Sequence, residues 1–124
     1  MKGKAIVVTE HGGPEKLKLV EVDVPDPGPD EVRIRQHAVG LNFIDIYHRT
    51  GLYPLPLPSG LGLEGAGVVT AIGAGVTEFK RGDRVAYAGG PPGAYAEARN
   101  MPTDRLVKLP DAIDFKTAAA MMLQ

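Results

Sequence analysis

Glycine and proline interrupt this sequence so often that only short helices and strands fit between them. The 124 residues include 16 glycines and 11 prolines, together about twice their share in an average protein. The segments between them are rich in Val and Ile, which favour strands. The pattern therefore predicts one mainly β domain, made of short strands joined by turns around a single core.

Apolar residues alternate or cluster in several of these segments, which we predict to be strands. The predicted strands are 4–10, 16–24, 31–39, 66–72, 84–88, 94–99 and 105–109. The first two flank a Gly-Gly-Pro turn and form an opening hairpin. In the third, Val32 and Ile34 share one face with Gln36 and Ala38.

The segment 42–50 changes to a helical period. Asn42 is a favourable N-cap, Asp45 suits the positive first turn, and Gly51 supplies a stop. The sequence therefore predicts a short helix here. The segment 53–60 alternates prolines with other residues and is predicted to be an extended loop, because proline fits neither a helix nor the interior of a sheet.

Three residues of this helix each have two possible roles. Phe43, Ile46 and Tyr47 share one face, and packing into the core is the alternative to a binding role for Phe43 and Ile46. For Asp45, the alternative is to complement the helix dipole and pair with Arg49, four residues later.

A second helix is predicted after Asp114, over 115–124, and the sequence ends inside it. No Gly, Lys or Arg occupies its last turn, so it lacks the usual C-terminal signals. We therefore expect the chain to be part of a longer protein. The expected division is a domain at 1–113 and the start of a connecting helix at 114–124.

The stretch GLGLEG, residues 60–65, has the spelling G-x-G-x-x-G of a dinucleotide-binding fingerprint. That fingerprint needs a strand before its first glycine and a helix after its third, because the pyrophosphate rests on the amides of the helix N-terminus. Here a proline-rich loop precedes the glycines and a β-branched strand follows them. We interpret these glycines as sites of tight backbone geometry.

Composition excludes several classes of function. The net charge is −1 and the chain has no cysteine and only three histidines, so a disulfide and a thiolate ligand are excluded and no protein-built zinc site is expected. No run of like charge indicates a nucleic-acid partner. No apolar run reaches the ~20 residues of a membrane span, and no signal peptide is recognisable, so a cytoplasmic location is expected.

A series of short motifs resembles one known family along essentially the whole chain. The motifs are Gly12–Glu15, Glu31–Val32, Gly40–Tyr47, Arg49–Pro54, Gly62–Val69, Gly82–Val85, Gly93–Glu97 and Ala118–Met121. In this order they resemble the N-terminal, GroES-like domain of zeta-crystallin-like NADPH:quinone oxidoreductases, the zinc-free branch of the medium-chain dehydrogenase/reductase superfamily. The resemblance implies a partly open β-barrel with short helices, and a Rossmann domain that is absent from this chain.

Two positions separate this chain from the zinc-dependent branch of that superfamily. There, a Cys at the start of the short helix and the His of a Gly-His-Glu triplet bind the catalytic metal. This chain has Asn42 and Leu63 at these positions. An amide and an aliphatic group do not replace a thiolate and an imidazole, so no metal is expected.

The resemblance implies reduction of a quinone, or another small electrophile, by hydride from NADPH. It implies contacts from Phe43, Ile44, Asp45, Ile46 and Tyr47 to the nicotinamide end of NADPH. The candidate catalytic residues are Asn42, Tyr47 and Tyr53, with the two tyrosines flanking the quinone or donating a hydrogen bond to its oxygen. Glu64 is expected to be a structural carboxylate near the site.

Two alternatives stay open at this point. No residue separates quinone reduction from reduction of an enone or alkenal, and a stand-alone GroES-like binding module is a third reading of the same domain. Without a coenzyme domain this chain is expected to be nearly inactive alone. As a full-length enzyme it is expected to form a homodimer, and no residue chooses between NADPH and NADH.

Overall fold

The computed structural model describes residues 1–121, and the predicted helix residues 122–124 lie outside the described part. The strands and helices are β1 (Lys2–Val8), β2 (Lys18–Asp23), β3 (Glu31–Gly40), α1 (Phe43–Thr50), β4 (Ser59–Gly60), β5 (Glu64–Ile72), β6 (Arg84–Ala88), β7 (Ala98–Pro102), β8 (Leu106–Lys108) and α2 (Phe115–Met121). The mainly β prediction is confirmed. Neither described helix has the length and apolar character needed to cross a membrane.

The strands form two antiparallel sheets. One has the order β2-β1-β4 and the other the order β7-β3-β5-β6-β8. Residues 95–97 link them: the amide of Ile6 in β1 donates to the carbonyl of Tyr95 at 2.8 Å, and the amide of Gln36 in β3 donates to that of Glu97 at 2.9 Å. This link gives the partly open barrel that the resemblance implies.

The main core lies on one face of the five-stranded sheet. Val32, Ile34, Val69 and Val85 are fully buried there, and burying each such side chain contributes about 1.5–3 kcal/mol. The opposite face is covered by α2, where small residues let the helix approach the sheet closely. That second cluster contains Ala66, Ala86, Leu109, Ala118 and Ala119.

The predicted strands at 31–39, 66–72 and 84–88 are confirmed to within two residues, and the opening hairpin is confirmed by the pairing of β1 with β2. The prediction of a strand at 94–99 is wrong, because β7 begins only at Ala98. The amides of Gly93 and Ala94 both donate to the carbonyl of Gly62, at 2.9 and 3.1 Å. The backbone of residues 93–97 therefore divides its hydrogen bonds between Gly62, β1 and β3 instead of pairing along one strand.

The strand predicted at 16–24 begins later than expected. A 3₁₀ turn occupies Pro14–Lys16, and β2 starts at Lys18. Proline is favoured at the first position of such a turn, because proline has no N–H to leave unpaired and its φ is already helical.

Candidate active site

Both ends of α1 are fixed by local hydrogen bonds, as the sequence predicts. At the N-cap, the amide of Asn42 donates to Oδ2 of Asp45 at 3.1 Å. At the other end, Gly51 adopts the left-handed conformation with φ +90° and donates to the carbonyl of Tyr47 at 3.1 Å. These contacts satisfy backbone groups that have no partner inside a helix.

The two faces of α1 are reversed relative to an ordinary surface helix. Asp45 is 1% exposed and His48 is also buried, whereas Phe43 is 78% and Ile46 38% exposed. The core-packing interpretation of Phe43 and Ile46 is therefore wrong. The face they share points away from the core, because polar partners lie on the inner side of the helix.

The expected pairing of Asp45 with Arg49 is wrong as well. Nε of Arg49 donates to the carbonyl of Gly12 at 3.2 Å. Asp45 instead accepts a hydrogen bond at Oδ2 from the hydroxyl of Tyr95. Burial, reinforced by the hydrogen bond to this carboxylate, raises the pKa of Tyr95 well above its usual range.

Glu64 is the second buried carboxylate of the site. It is fully buried at the start of β5, and its Oε1 accepts a hydrogen bond from Nδ2 of Asn42 at 3.0 Å. A Cβ at Gly40 would collide with Oε1 of Glu64 and with the backbone carbonyl of Ala119 in α2. Gly40 therefore lets this carboxylate sit between α1 and α2, beside the site as expected.

A groove of about 420 Å³ lies on the outer side of the first turn of α1. Asn42, Phe43 and Ile46 line it together with Leu41. Its volume lies in the range of small-molecule sites, about 300–1,000 Å³, and it combines apolar walls with a single amide, which is typical of them. The structure therefore brings three of the predicted site residues to one groove.

The other predicted residues lie around α1 outside the groove lining. The rings of Tyr47 and Tyr53 meet edge to face, with centroids 5.2 Å apart and planes at 76°. The amide of Tyr53 also donates to the carbonyl of Tyr47 at 3.2 Å. The two candidate catalytic tyrosines thus form one pair, with Tyr47 inside α1 and Tyr53 after it. Ile44 is half-buried, and Asp45 is buried.

The two positions that hold zinc in the metal-dependent branch are both next to Glu64, one by a hydrogen bond and the other in sequence. Asn42 bonds to Glu64, and Leu63 is the buried residue just before it. Their side chains are an amide and an isobutyl group, which are not the thiolate and imidazole that zinc prefers. Within residues 1–121, no group of three or more His, Cys, Asp or Glu side chains is placed to hold a metal ion.

The glycines of the G-x-G-x-x-G stretch serve close packing, as interpreted from their context. Gly62 has φ +96°, and a Cβ there would lie 2.7 Å from the ring of Tyr95. A Cβ at Gly65 would lie 2.7 Å from the hydroxyl oxygen of Tyr87. The third glycine already belongs to β5, and no helix follows it, so this is not a phosphate-binding turn.

Sequence reasoning missed Tyr95. Its segment was predicted to be a strand, and its partner Asp45 lies 50 residues earlier. The only signal was the presence of Tyr95 in the family motif Gly93–Glu97. That motif gives no indication of what the phenol contacts.

Comparison with known proteins defines the class. The pattern of the family described as "Alcohol dehydrogenase GroES-like domain" matches residues 28–111. The chain belongs to this family of GroES-like domains. Its homologues of high identity include quinone oxidoreductases of the medium-chain dehydrogenase/reductase superfamily.

Three similar proteins are informative. The chain is 58% identical over 122 residues to a quinone oxidoreductase of Pseudomonas aeruginosa, covering 98% of this chain and 38% of that protein. It is 42% identical over 127 residues to a 2-haloacrylate reductase of a Burkholderia species, covering 97% and 38%. The crystal structure of Escherichia coli quinone oxidoreductase complexed with NADPH superposes with a TM-score of 0.94 at 49% identity, covering 97% and 37%. The chain thus spans less than two-fifths of the length of these relatives.

Proposed function

We propose that this chain is the substrate-facing domain of a zinc-independent, NADPH-dependent quinone oxidoreductase. The single observation that supports this most is the reversed placement of the two faces of α1, with polar side chains inside and apolar side chains outside. Its apolar side chains Phe43 and Ile46 line an open groove, while its buried side is held by carboxylates. The names of the similar proteins supply the reaction class for the proposal.

The groove residues fit a flat, partly apolar cofactor end. Leu41, Phe43 and Ile46 offer apolar surface, and Asn42 offers an amide at the same groove, a combination that suits an aromatic ring bearing a carboxamide. We assign the nicotinamide contacts to Phe43, Ile44, Ile46 and Tyr47, as the resemblance implies. Asp45, which the resemblance also implies, is buried on the inner face of α1, and we assign it to holding the helix instead. When bound, NADPH supplies the hydride that reduces the substrate.

The remaining tasks fall to the residues of this chain. Phe43 and Ile46 exclude water from the reacting face and hold the two flat molecules together. The pair Tyr47 and Tyr53 flanks the quinone, and a phenol O–H of this pair donates a hydrogen bond to its oxygen as negative charge develops there. Asn42 is held by Glu64 and so keeps a fixed place at the groove.

The side chains at the two zinc-ligand positions support zinc independence. A zinc enzyme of this superfamily polarises its substrate oxygen with a metal, whereas Asn42 and Leu63 offer no metal ligand at those positions. A quinone accepts hydride without such help, because its reduction produces an aromatic ring. The cytoplasmic location, the homodimer and the division at residue 113 stay predictions.

A second function has one specific observation in its favour. The 2-haloacrylate reductase similar to this chain is named for an activated alkene as substrate, and an enone or alkenal accepts hydride at a carbon in the same way. The apolar groove suits either acceptor.

The test uses the protein expressed from the complete gene and follows NADPH oxidation with a naphthoquinone and with an alkenal. We expect turnover with the naphthoquinone, and roughly tenfold lower kcat/KM for Phe43→Ser, because loss of one aromatic contact that the bound ligand buries costs about 1.4 kcal/mol. The matched control is Leu19→Ser on β2, which removes another exposed apolar side chain. Faster turnover of the alkenal would favour the second function, and no turnover of either would contradict both.

A further inference from the structure

Tyr95 lies in a segment whose backbone is anchored on two sides. Its amide donates to the carbonyl of Leu61 at 3.0 Å, and its carbonyl accepts from the amide of Ile6 in β1 at 2.8 Å. Its ring packs against the Cα of Gly62, where any side chain would collide with it. The phenol is therefore held in one place by the chain around it.

Gln36 of β3 holds the peptide groups on either side of Tyr95. Its Nε2 donates to the carbonyl of Ala94 at 2.5 Å and to that of Ala96 at 3.0 Å. Its Oε1 accepts from the hydroxyl of Tyr87 at 2.5 Å. Both ends of this amide are satisfied, so its orientation is fixed by its partners.

Arg99 continues this set of contacts into the core. Its guanidinium is buried, lies 5.3 Å from the ring centroid of Tyr87, and has Nη1 3.5 Å from the Tyr87 hydroxyl. Nη2 donates to the carbonyl of Pro91 at 2.7 Å. Gln36, Tyr87 and Arg99 therefore hold both the turn before Tyr95 and the peptide groups on either side of Tyr95.

The far end of Tyr95 reaches α1. Its hydroxyl donates to Oδ2 of Asp45, and the same oxygen accepts the amide of Asn42. A hydrogen bond to a charged acceptor is stronger than one between neutral groups. The position of this carboxylate therefore decides where the first turn of α1 lies, and that turn lines the groove.

We infer that Tyr95 is a positioning residue for the groove: it holds Asp45, and through Asp45 the first turn of α1, while Gln36 holds Tyr95. The inference rests on the proposed function for its catalytic consequence. Tyr95 acts here without touching the substrate.

The test is a double-mutant cycle of Tyr95→Phe and Asp45→Asn in the protein expressed from the complete gene. We expect Tyr95→Phe to lower kcat/KM for the naphthoquinone roughly tenfold, because the variant loses one hydrogen bond to a charged group. The double variant should lose less than the product of the two single losses, because Tyr95→Phe removes the hydrogen bond and Asp45→Asn removes the charge that strengthens it. The control is Thr70→Val, which removes a half-buried hydroxyl that donates to the carbonyl of Arg33 in β3, so its effect should multiply with that of Asp45→Asn.

A second measurement does not depend on activity. In the 124-residue chain, the backbone amide resonance of Asn42 reports the hydrogen bond to Asp45, and Tyr95→Phe should shift it. If Asp45→Asn does not fold, Gln36→Leu takes its place and should shift the same resonance. An unmoved Asn42 amide in Tyr95→Phe, or single losses that multiply fully in the cycle, would overturn the inference. An inactive parent protein would count against the proposed function alone, and the amide shift would still decide whether Tyr95 positions the turn.

Discussion

The inner and outer faces of α1 have opposite character. The inner face presents Asp45, which is bonded to Tyr95, and lies beside Glu64, which is bonded to Asn42. The outer face presents Phe43 and Ile46 to an open groove. In most surface helices the apolar stripe faces the core and the polar residues face water.

The reversal shows that burial of apolar surface does not hold α1 in place. The helix is held by its caps and by hydrogen bonds to buried carboxylates, and these are directional. Its apolar side chains are thereby left for a ligand. A departure from the ordinary pattern that costs stability is expected at functional sites, and α1 lies at the candidate active site.

The largest effect is expected from Asp45→Ala, which removes the main acceptor of the inner face. The hydroxyl of Tyr95 and the amide of Asn42 both lose their partner, and leaving buried donors unpaired costs about 1–3 kcal/mol each. We expect the free energy of unfolding to fall by roughly 3 kcal/mol, measured by urea denaturation of the chain.

The control for this variant is Asp83→Ala. Asp83 also accepts a backbone amide, that of Lys80 at 3.0 Å, but in a surface turn where Nζ of Lys108 lies 3.7 Å from the same carboxylate, so its loss should cost about 1 kcal/mol. Equal losses in the two variants would mean that the inner face of α1 contributes no more than a surface turn.

The next largest effect is expected from Gly62→Ala, which displaces Tyr95. A methyl group there meets the tyrosine ring at 2.7 Å and also requires φ +96°. Gly75→Ala is the matched control, because Gly75 has φ +81° with nothing within 4 Å of the added group. We expect about 1 kcal/mol for Gly75→Ala and at least twice that for Gly62→Ala, by urea denaturation.

The bounds of α1 could be predicted because its signals are local. Asn42 and Gly51 mark its two ends, and both cap the observed helix. The pairing of Asp45 with Tyr95 could not, because the two residues are 50 positions apart and only the fold brings them together. Periodicity tells which residues share a face, and it does not tell which face points inward when the inner partners are polar.

The failed strand prediction has a related cause. Residues 94–99 have the composition of a strand, but the peptides beside Tyr95 are bonded to the side chain of Gln36. The backbone bonds of this segment are divided between Leu61, β1 and β3, and the Gln36 side chain donates to two further carbonyls. The segment therefore forms no continuous ladder with one strand, and no propensity scale includes such contacts. The same contacts position the site, so the error in the fold and the missed residue have one origin.

A smaller loss of stability is expected at alkaline pH. Burial raises the pKa of both Tyr87 and Tyr95 in the folded chain, whereas an unfolded tyrosine has a pKa of about 10. Above pH 10 the unfolded state releases protons that the folded state keeps, so the free energy of unfolding falls as pH rises. Below pH 10 both states keep these protons, and the two phenols give no pH dependence.

Tyr95→Phe and Tyr87→Phe should each make this decline less steep, measured by urea denaturation at pH 9, 10 and 11. Lysine side chains titrate in the same range, and the difference between variant and parent removes their contribution. A decline of the same slope in the parent and in Tyr95→Phe would mean that the folded chain does not raise the pKa of the Tyr95 phenol.

The smallest effect on stability is expected from Phe43→Ser, on the outer face. Phe43 is 78% exposed, so its removal uncovers almost no further apolar surface, and surface substitutions of this kind usually change the free energy of unfolding by less than about 0.5 kcal/mol. Serine fits an early helical position almost as well as phenylalanine. The same variant is expected to reduce quinone turnover. A loss of stability near that of Asp45→Ala would mean that Phe43 is part of the core after all, and the contrast between the two faces of α1 would no longer indicate a binding site.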